Sequence, residues 1–195
     1  MVIRYSLGVA PIFGLPFIVL WPGVAKDVLG SDARGYGLLL GFVGLGAAAS
    51  APFVTWLNRR FKESEIIKIS ALISGLFLVG FSLSRLFWLS LLLSAGLGST
   101  FLMLSAAVNT VLQARVERNM RGRIMSMYIL VFQGLMPVGG IVMGTLADRY
   151  SAPSVLLAGG LVCAAMSVAL IAFPSFLRAV VTRYTSRKAP GRRRG

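Results

Sequence analysis

Long apolar stretches alternate with short charged connections along the chain. Each stretch is close to the roughly 20 residues that a helix needs to cross about 30 Å of hydrocarbon. The stretches lack the polar–apolar alternation of transmembrane strands, and hydrocarbon requires every backbone polar group to be bonded within the segment. We therefore predict an all-α membrane protein with six transmembrane helices. The predicted spans are approximately 5–25, 36–57, 66–84, 87–112, 124–147 and 154–174.

The spans predict one six-helix bundle over residues 1–177, followed by a basic tail over 178–195. The tail combines many basic residues with no acidic residue, so we expect it to be disordered. Attraction to anionic lipid is one interpretation of its charge. Docking to RNA or to a protein is the alternative.

The composition also favours a membrane location. Apolar residues make up 56% of the chain and charged residues 13%, whereas a soluble domain has about 45–50% and 25%. The formal charge of +14 would suit a nucleic-acid-binding protein if the basic residues shared a polar face. Here they alternate with apolar stretches, so we expect membrane lipid and no nucleic acid as a partner.

Lysine and arginine are distributed unequally between the two sides of the predicted bundle. Six spans place both termini on one side, and that side holds sixteen basic residues against four on the other. The positive-inside rule assigns the richer side to the cytoplasm. We therefore predict a multi-pass protein of the bacterial inner membrane with both termini cytoplasmic.

The first span has a second interpretation. Arg4, the apolar stretch after it and the small residues at 23–25 also fit a cleaved signal peptide. The stretch from Leu7 to Trp21 is long for such a peptide, and its prolines suit a kinked spanning helix. We therefore favour a membrane span.

Glycines recur at helical spacing in the second and fifth spans. Gly37 and Gly41 lie four residues apart, and Gly140 and Gly144 form a GxxxG pair. Such spacing lets membrane helices approach closely, so we expect helix packing at these glycines. Surfaces that slide during transport are the alternative. Pro137 should kink the fifth span or loosen its backbone.

Neutral polar residues mark the fourth and fifth spans. Ser105, Asn109 and Gln113 follow one another at intervals of four, and Gln133 lies in the next span. Amides in hydrocarbon need a partner or water, so these four residues are candidates for a substrate or water pathway. Plain interhelical hydrogen bonding is the alternative. All six acidic residues lie at or beyond span ends, which leaves no mid-membrane carboxylate for ion coupling.

Nothing in the sequence indicates an enzyme. The chain has no histidine, which excludes histidine-based triads and metal sites. Its single cysteine, Cys163, excludes a disulfide framework, and no Walker A sequence is present. We expect no catalytic residue, cofactor or metal ion.

A series of motifs follows the fourth span. A helix ends in Asn-Thr and Gln, an Arg-Gly-Arg precedes Met-Ser, and the next helix contains Gly-x-x-Pro and ends in Leu-Ala-Asp. Here the sequence resembles the C-terminal six-helix half of the major facilitator superfamily. The nearest branch is the transmembrane secretion effectors, which includes the enterobactin exporter and macrolide-efflux-like proteins. The motif residues are Asn109, Thr110, Gln113, Arg121, Gly122, Arg123, Met125, Ser126, Gly134, Pro137, Gly139, Gly144, Leu146, Ala147 and Asp148.

Two positions depart from the family pattern. Ser151 stands where the motif after Leu-Ala-Asp ends in glycine, and Asn58 stands where the superfamily often has aspartate. Arg121, Gly122 and Arg123 are family-motif residues, and from their position we expect Arg121 and Arg123 to hold the cytoplasmic end of the fifth span. Asp148 and Arg149 are motif or gating residues at its other end.

The resemblance implies a partial secondary transporter that exports a small amphipathic molecule, of drug or siderophore type, by proton coupling. The expected partners are the substrate and an N-terminal six-helix half or a second copy of the chain. The coupling acid would lie in the other half. A truncated or regulatory membrane protein without transport activity is the main alternative. The membrane half of an ATP-driven exporter would need longer cytoplasmic helices than connections of about ten residues allow.

Overall fold

The structure, a computed structural model, describes residues 17–27, 30–115 and 120–172. Within these ranges it consists of helices and short connections, without a strand. Five of the helices are long and apolar enough to cross a membrane, so the predicted all-α membrane fold is confirmed. The helices are α1 (Phe17–Asp27), α2 (Ala33–Arg60), α3 (Glu63–Leu83), α4 (Phe87–Arg115), α5 (Arg121–Tyr150) and α6 (Ala152–Ala172).

Several helices continue about one turn beyond the apolar stretch that predicts them. The second predicted span, 36–57, corresponds to a helix over Ala33–Arg60. The length of an apolar stretch matches the thickness of the hydrocarbon, whereas the hydrogen-bonded helix continues into the headgroup region. At the start of α2, Asp32 Oδ1 accepts a hydrogen bond from the Arg34 N–H at 3.0 Å and caps the helix.

The first predicted span begins outside the described residues, and α1 covers its last part. Residues of this helix belong to the main core: Trp21 is buried and stacks on Phe81 of α3, with ring centroids 5.2 Å apart. Val24 and Ala25 are also buried. These residues include the small ones that suggest a cleavage site, and the structure packs Val24 and Ala25 in the main core; the membrane span stays a prediction. The predicted tail, 178–195, lies outside the described residues.

Three helix pairs form the tightly packed part of the bundle: α2 with α4, α4 with α3, and α3 with α6. Glycine makes the closest of these approaches possible. A Cβ on Gly46 would overlap the carbonyl oxygen of Ala95, and one on Gly98 would overlap that of Val43. Since backbone cannot yield as a side chain can, α2 and α4 depend on glycine at both positions.

The contact between α3 and α6 also depends on glycine. A Cβ on Gly75 would lie 2.8 Å from the Ala164 nitrogen, and one on Gly160 would lie 3.0 Å from the Gly75 carbonyl oxygen. At the end of α3, Ser82 donates a 2.6 Å hydrogen bond to the carbonyl oxygen of Pro153. A hydroxyl bonded in this way adds a polar link to close backbone packing.

Helix α5 is packed more loosely than α2, α3, α4 or α6, with its contacts mainly to α6 and α1. Many of its large apolar side chains are exposed, including Leu130 at 74%. Near the start of α5, Met125 and Tyr128 pack against a small core formed by α3 and α4. Pro137 lies in the middle of the helix, which continues through it; the predicted kink stays a prediction.

Candidate substrate pathway

The polar positions of α4 divide into two groups. In the first half of the helix, Ser94 is buried and donates a 2.7 Å hydrogen bond to the Ser90 carbonyl oxygen. Gly98 on the same face contacts α2. About two and three turns beyond Gly98, Ser105 and Asn109 are only partly buried, and their side chains have no hydrogen-bond partner among the described residues. In the part of α4 whose side chains the structure describes, Ser105 and Asn109 therefore differ from Ser94 in having no hydrogen-bond partner.

The remaining pathway candidates lie further along the chain. Gln113 belongs to α4, but its side chain is outside what the structure describes. Gln133 is exposed on α5, about two turns beyond Met125, and has no hydrogen-bond partner in the described ranges. The structure therefore shows two separate polar positions, on α4 and α5, and no direct bond that joins them within the described ranges.

The Arg-Gly-Arg motif forms the first turn of α5. Arg121 begins the helix, although its side chain is not among those described, and Arg123 is exposed. The Gly122 carbonyl oxygen accepts a 2.9 Å hydrogen bond from Ser126 Oγ, so the motif serine satisfies a backbone group within its own helix. At the other end of α5, Asp148 and Arg149 are exposed.

The four glycines predicted to pack differ in their surroundings. Gly140 is buried, and a Cβ there would lie 3.3 Å from Val19 Cγ2, at the contact between α5 and α1. Gly37, Gly41 and Gly144 have no described atom within 4 Å of the corresponding Cβ position. Within the described bundle, the close approaches to the backbone of another helix instead involve Gly46, Gly75, Gly98 and Gly160.

The sequence pattern did not predict packing at these four glycines, and it placed Gly98 only on the polar face of the fourth span. Gly46 and Gly98 lie in stretches rich in small residues, "GAAAS" and "SAGLGST". The sequence also shows Ser151 as a departure from the motif glycine. Ser151 is the residue between α5 and α6, and it has φ = 78° and ψ = 146°. This conformation belongs almost exclusively to glycine, so the structure explains why the motif has glycine here.

The described acidic residues lie at helix ends. Asp32 caps α2, Glu63 and Glu65 lie in the first turn of α3, and Asp148 lies in the last turn of α5. Carboxylates at helix N-termini are stabilised by the helix dipole. Among the described residues, none of these side chains is at mid-span, where a proton-coupling carboxylate would be expected.

Comparison with known proteins adds to this geometry. No curated protein matches the chain. The sequence profile of the family described as transmembrane secretion effector matches residues 2–188, which includes all the described helices and nearly the whole chain. The chain therefore belongs to the transmembrane secretion effector family of major facilitator superfamily transporters.

Proposed function

We propose that the chain is the C-terminal six-helix half of a secondary transporter that exports a small amphipathic molecule. Its transport role follows from the family, and the half-transporter assignment follows from the motif order around α5. In this proposal the termini are cytoplasmic in a bacterial inner membrane. The coupling proton is carried by an acid in the other half.

The observation that best supports this proposal is that many side chains of α5 are exposed. The helix exposes Gln133, an amide with no partner in the described part of the chain, beside large apolar side chains such as Leu130. A lone amide in lipid is unfavourable, whereas one that faces water or substrate is not. An exposed polar position on an otherwise apolar helix suits a pathway for an amphipathic molecule.

A substrate cavity that lies between two six-helix halves is lined by side chains of both halves. Asn109 and Gln133 each supply donor and acceptor groups, and the apolar surface around them suits the hydrophobic part of a substrate. In this proposal Ser105 and Gln113 extend the polar side of the path along α4. Self-association of the chain would complete the cavity in the same way as a separate N-terminal half.

Efflux of a cationic dye tests the proposal in cells that express the chain alone, or together with a separately encoded six-span partner. We expect efflux from the combined expression, because a single copy of the chain does not enclose the pathway. Efflux from the chain alone would mean that a second copy completes it. In that system Gln133→Ala should weaken apparent dye affinity about fivefold, the equivalent of one hydrogen bond worth about 1 kcal/mol. Val138→Ala, at another exposed position of α5, is the matched control and should have little effect.

An absence of efflux with every six-span partner, despite correct membrane insertion, would support the second candidate. In that case the chain is a truncated or regulatory membrane protein without transport activity. The location of the described carboxylates at helix ends favours this candidate for the chain on its own, since such an arrangement provides no internal proton carrier.

A further inference from the structure

Three aromatic side chains form one exposed surface at the end of α2. The Phe53 and Trp56 rings stack with centroids 5.4 Å apart and planes at 24°. Trp56 also makes an edge contact with Phe61, at 6.4 Å and 66°. All three are exposed. We call Phe53, Trp56 and Phe61 the aromatic surface.

The aromatic surface lies where α2 leaves the apolar part of its sequence. The apolar portion of the helix ends at Leu57. Phe61 ends the helix in an extended conformation, with its N–H bonded to the Leu57 carbonyl oxygen at 2.9 Å. Aromatic side chains at this depth, with apolar helix on one side and charge on the other, are typical of the headgroup region of a bilayer.

Two basic residues flank Phe61 directly. Arg60 and Lys62 are both exposed, and neither forms an ion pair with a residue in the described ranges. Glu63 and Glu65 are near in sequence, but they occupy the first turn of α3, where the helix dipole stabilises carboxylates. The positive charges beside the aromatic surface are therefore available to an external anion.

The opposite end of the bundle provides an internal comparison. Phe87 and Trp88 begin α4 there, in edge contact at 6.3 Å, and Trp88 is 77% exposed. Arg85 is the only basic residue in the α3–α4 connection, which the structure describes in full. Both ends thus have exposed aromatic residues with basic residues nearby, since Arg34 adjoins Gly35, which approaches Phe87. At the end of α2, however, two cations directly flank one of the rings.

From this arrangement we propose that the aromatic surface, with Arg60 and Lys62, binds an anionic phospholipid. The rings contact the upper acyl chains, and the two cations bind the phosphate of a headgroup with net negative charge. A zwitterionic lipid offers the same acyl chains without the net charge. The proposal depends on the membrane location and is independent of whether the chain transports anything.

Fluorescence quenching by brominated lipids tests this site in the full chain. The protein has three tryptophans: Trp21, which is only 2% exposed, Trp56 at 51%, and Trp88 at 77%. The signals of the two exposed residues are obtained by subtracting spectra of Trp56→Phe and Trp88→Phe from that of the unsubstituted protein. Each is titrated in nanodiscs with dibrominated phosphatidylglycerol and, separately, with dibrominated phosphatidylcholine.

We expect Trp56 to be quenched at a several-fold lower mole fraction of the anionic lipid than of the zwitterionic lipid. The difference between the two lipids should be smaller at Trp88. Each basic residue contributes roughly fivefold to attraction toward anionic lipid, so Arg60→Gln with Lys62→Gln should abolish the preference at Trp56. Lys26→Gln, a distant exposed cation on α1, is the matched control and should leave it unchanged.

Two results would overturn the proposal. Equal quenching of Trp56 by the two lipids would show contact without selection for charge. No quenching of Trp56 by either lipid, with Trp88 quenched normally, would show that protein rather than lipid covers the aromatic surface. Circular dichroism of the double glutamine variant, compared with the unsubstituted protein, establishes that lost preference does not result from unfolding.

Discussion

At the scale of single residues, Ser151 shows the cost of a departure from the motif glycine. Its φ of 78° is the only positive φ of a non-glycine residue among those described. Its neighbours hold it there: the Ser151 N–H donates to the Ala147 carbonyl oxygen at 2.9 Å, and Ser151 Oγ lies 3.0 Å from Ser154 Oγ. These two hydrogen bonds hold Ser151 in a conformation that its Cβ makes unfavourable.

Replacement of Ser151 by glycine should relieve this strain. Compared with Ser151→Ala, which keeps the Cβ and also loses the serine–serine bond, we expect Ser151→Gly to be more stable by about 1 kcal/mol. The measurement is the free energy of unfolding in mixed micelles, titrated with denaturing detergent. Equal stability of the two variants would contradict the strain assigned to this residue.

At the scale of elements, the helix pairs are defined by where glycine allows backbones to meet. Gly46 and Gly98 join α2 to α4, and Gly75 and Gly160 join α3 to α6. The Ser99 hydroxyl adds a 2.8 Å hydrogen bond to the Gly46 carbonyl oxygen across the first pair. Packing and hydrogen bonding thus coincide at the α2–α4 crossing.

Alanine substitutions on α2 should distinguish its packed face from its exposed face. Gly46→Ala places a methyl group on the Ala95 carbonyl, and we expect a loss of about 2–3 kcal/mol as the helices move apart. Gly37→Ala adds the same methyl group in open space, so it should be neutral or slightly stabilising through helix propensity. Thermal stability of the detergent-solubilised variants checks both; similar losses at the two sites would argue against the crossing described.

The sequence was sufficient to predict the helices but not their packing. Apolar length fixes where a helix lies, and α2 and α4 follow directly from it. Which glycine meets a neighbour depends on helix rotation, which the spacing of Gly37 and Gly41 does not determine. Prediction of the pathway residues fails for a related reason. Ser94 and Asn109 are both neutral polar residues of the same apolar span, yet Ser94 is buried in a helix contact and Asn109 is only partly buried.

At the scale of the whole molecule, α5 is the helix that has contacts within this chain and is also proposed to contact another half. It contacts α1 and α6, and it leaves Gln133 and several large apolar side chains exposed. Contacts within the chain therefore stabilise the bundle through α2, α3, α4 and α6. The exposed part of α5 is the surface that an N-terminal half or a second copy would cover under the proposed function.

Gly144→Leu tests that division. Because nothing described lies within 4 Å of a Cβ at Gly144, the larger side chain should leave the stability of the isolated chain nearly unchanged. It should, however, weaken assembly with a second half. Gly75→Leu, which clashes inside the bundle, should destabilise the chain itself. Co-purification with the partner and detergent stability of the chain alone are the two measurements; normal assembly of the Gly144→Leu chain would exclude this face as the interface.

The junction at Ser151 has a mechanical consequence. One residue joins α5 to α6, so α5 is tethered at that end while its Arg121 end lies far from the tether. A helix of 30 residues is about 45 Å long. A tilt of about 10° at the junction therefore moves the arginine end by about 8 Å, and hardly moves Tyr150. Such a tilt would separate Met125 and Tyr128 from the small core that they contact between α3 and α4, while the contacts of α6 with α3 stayed in place.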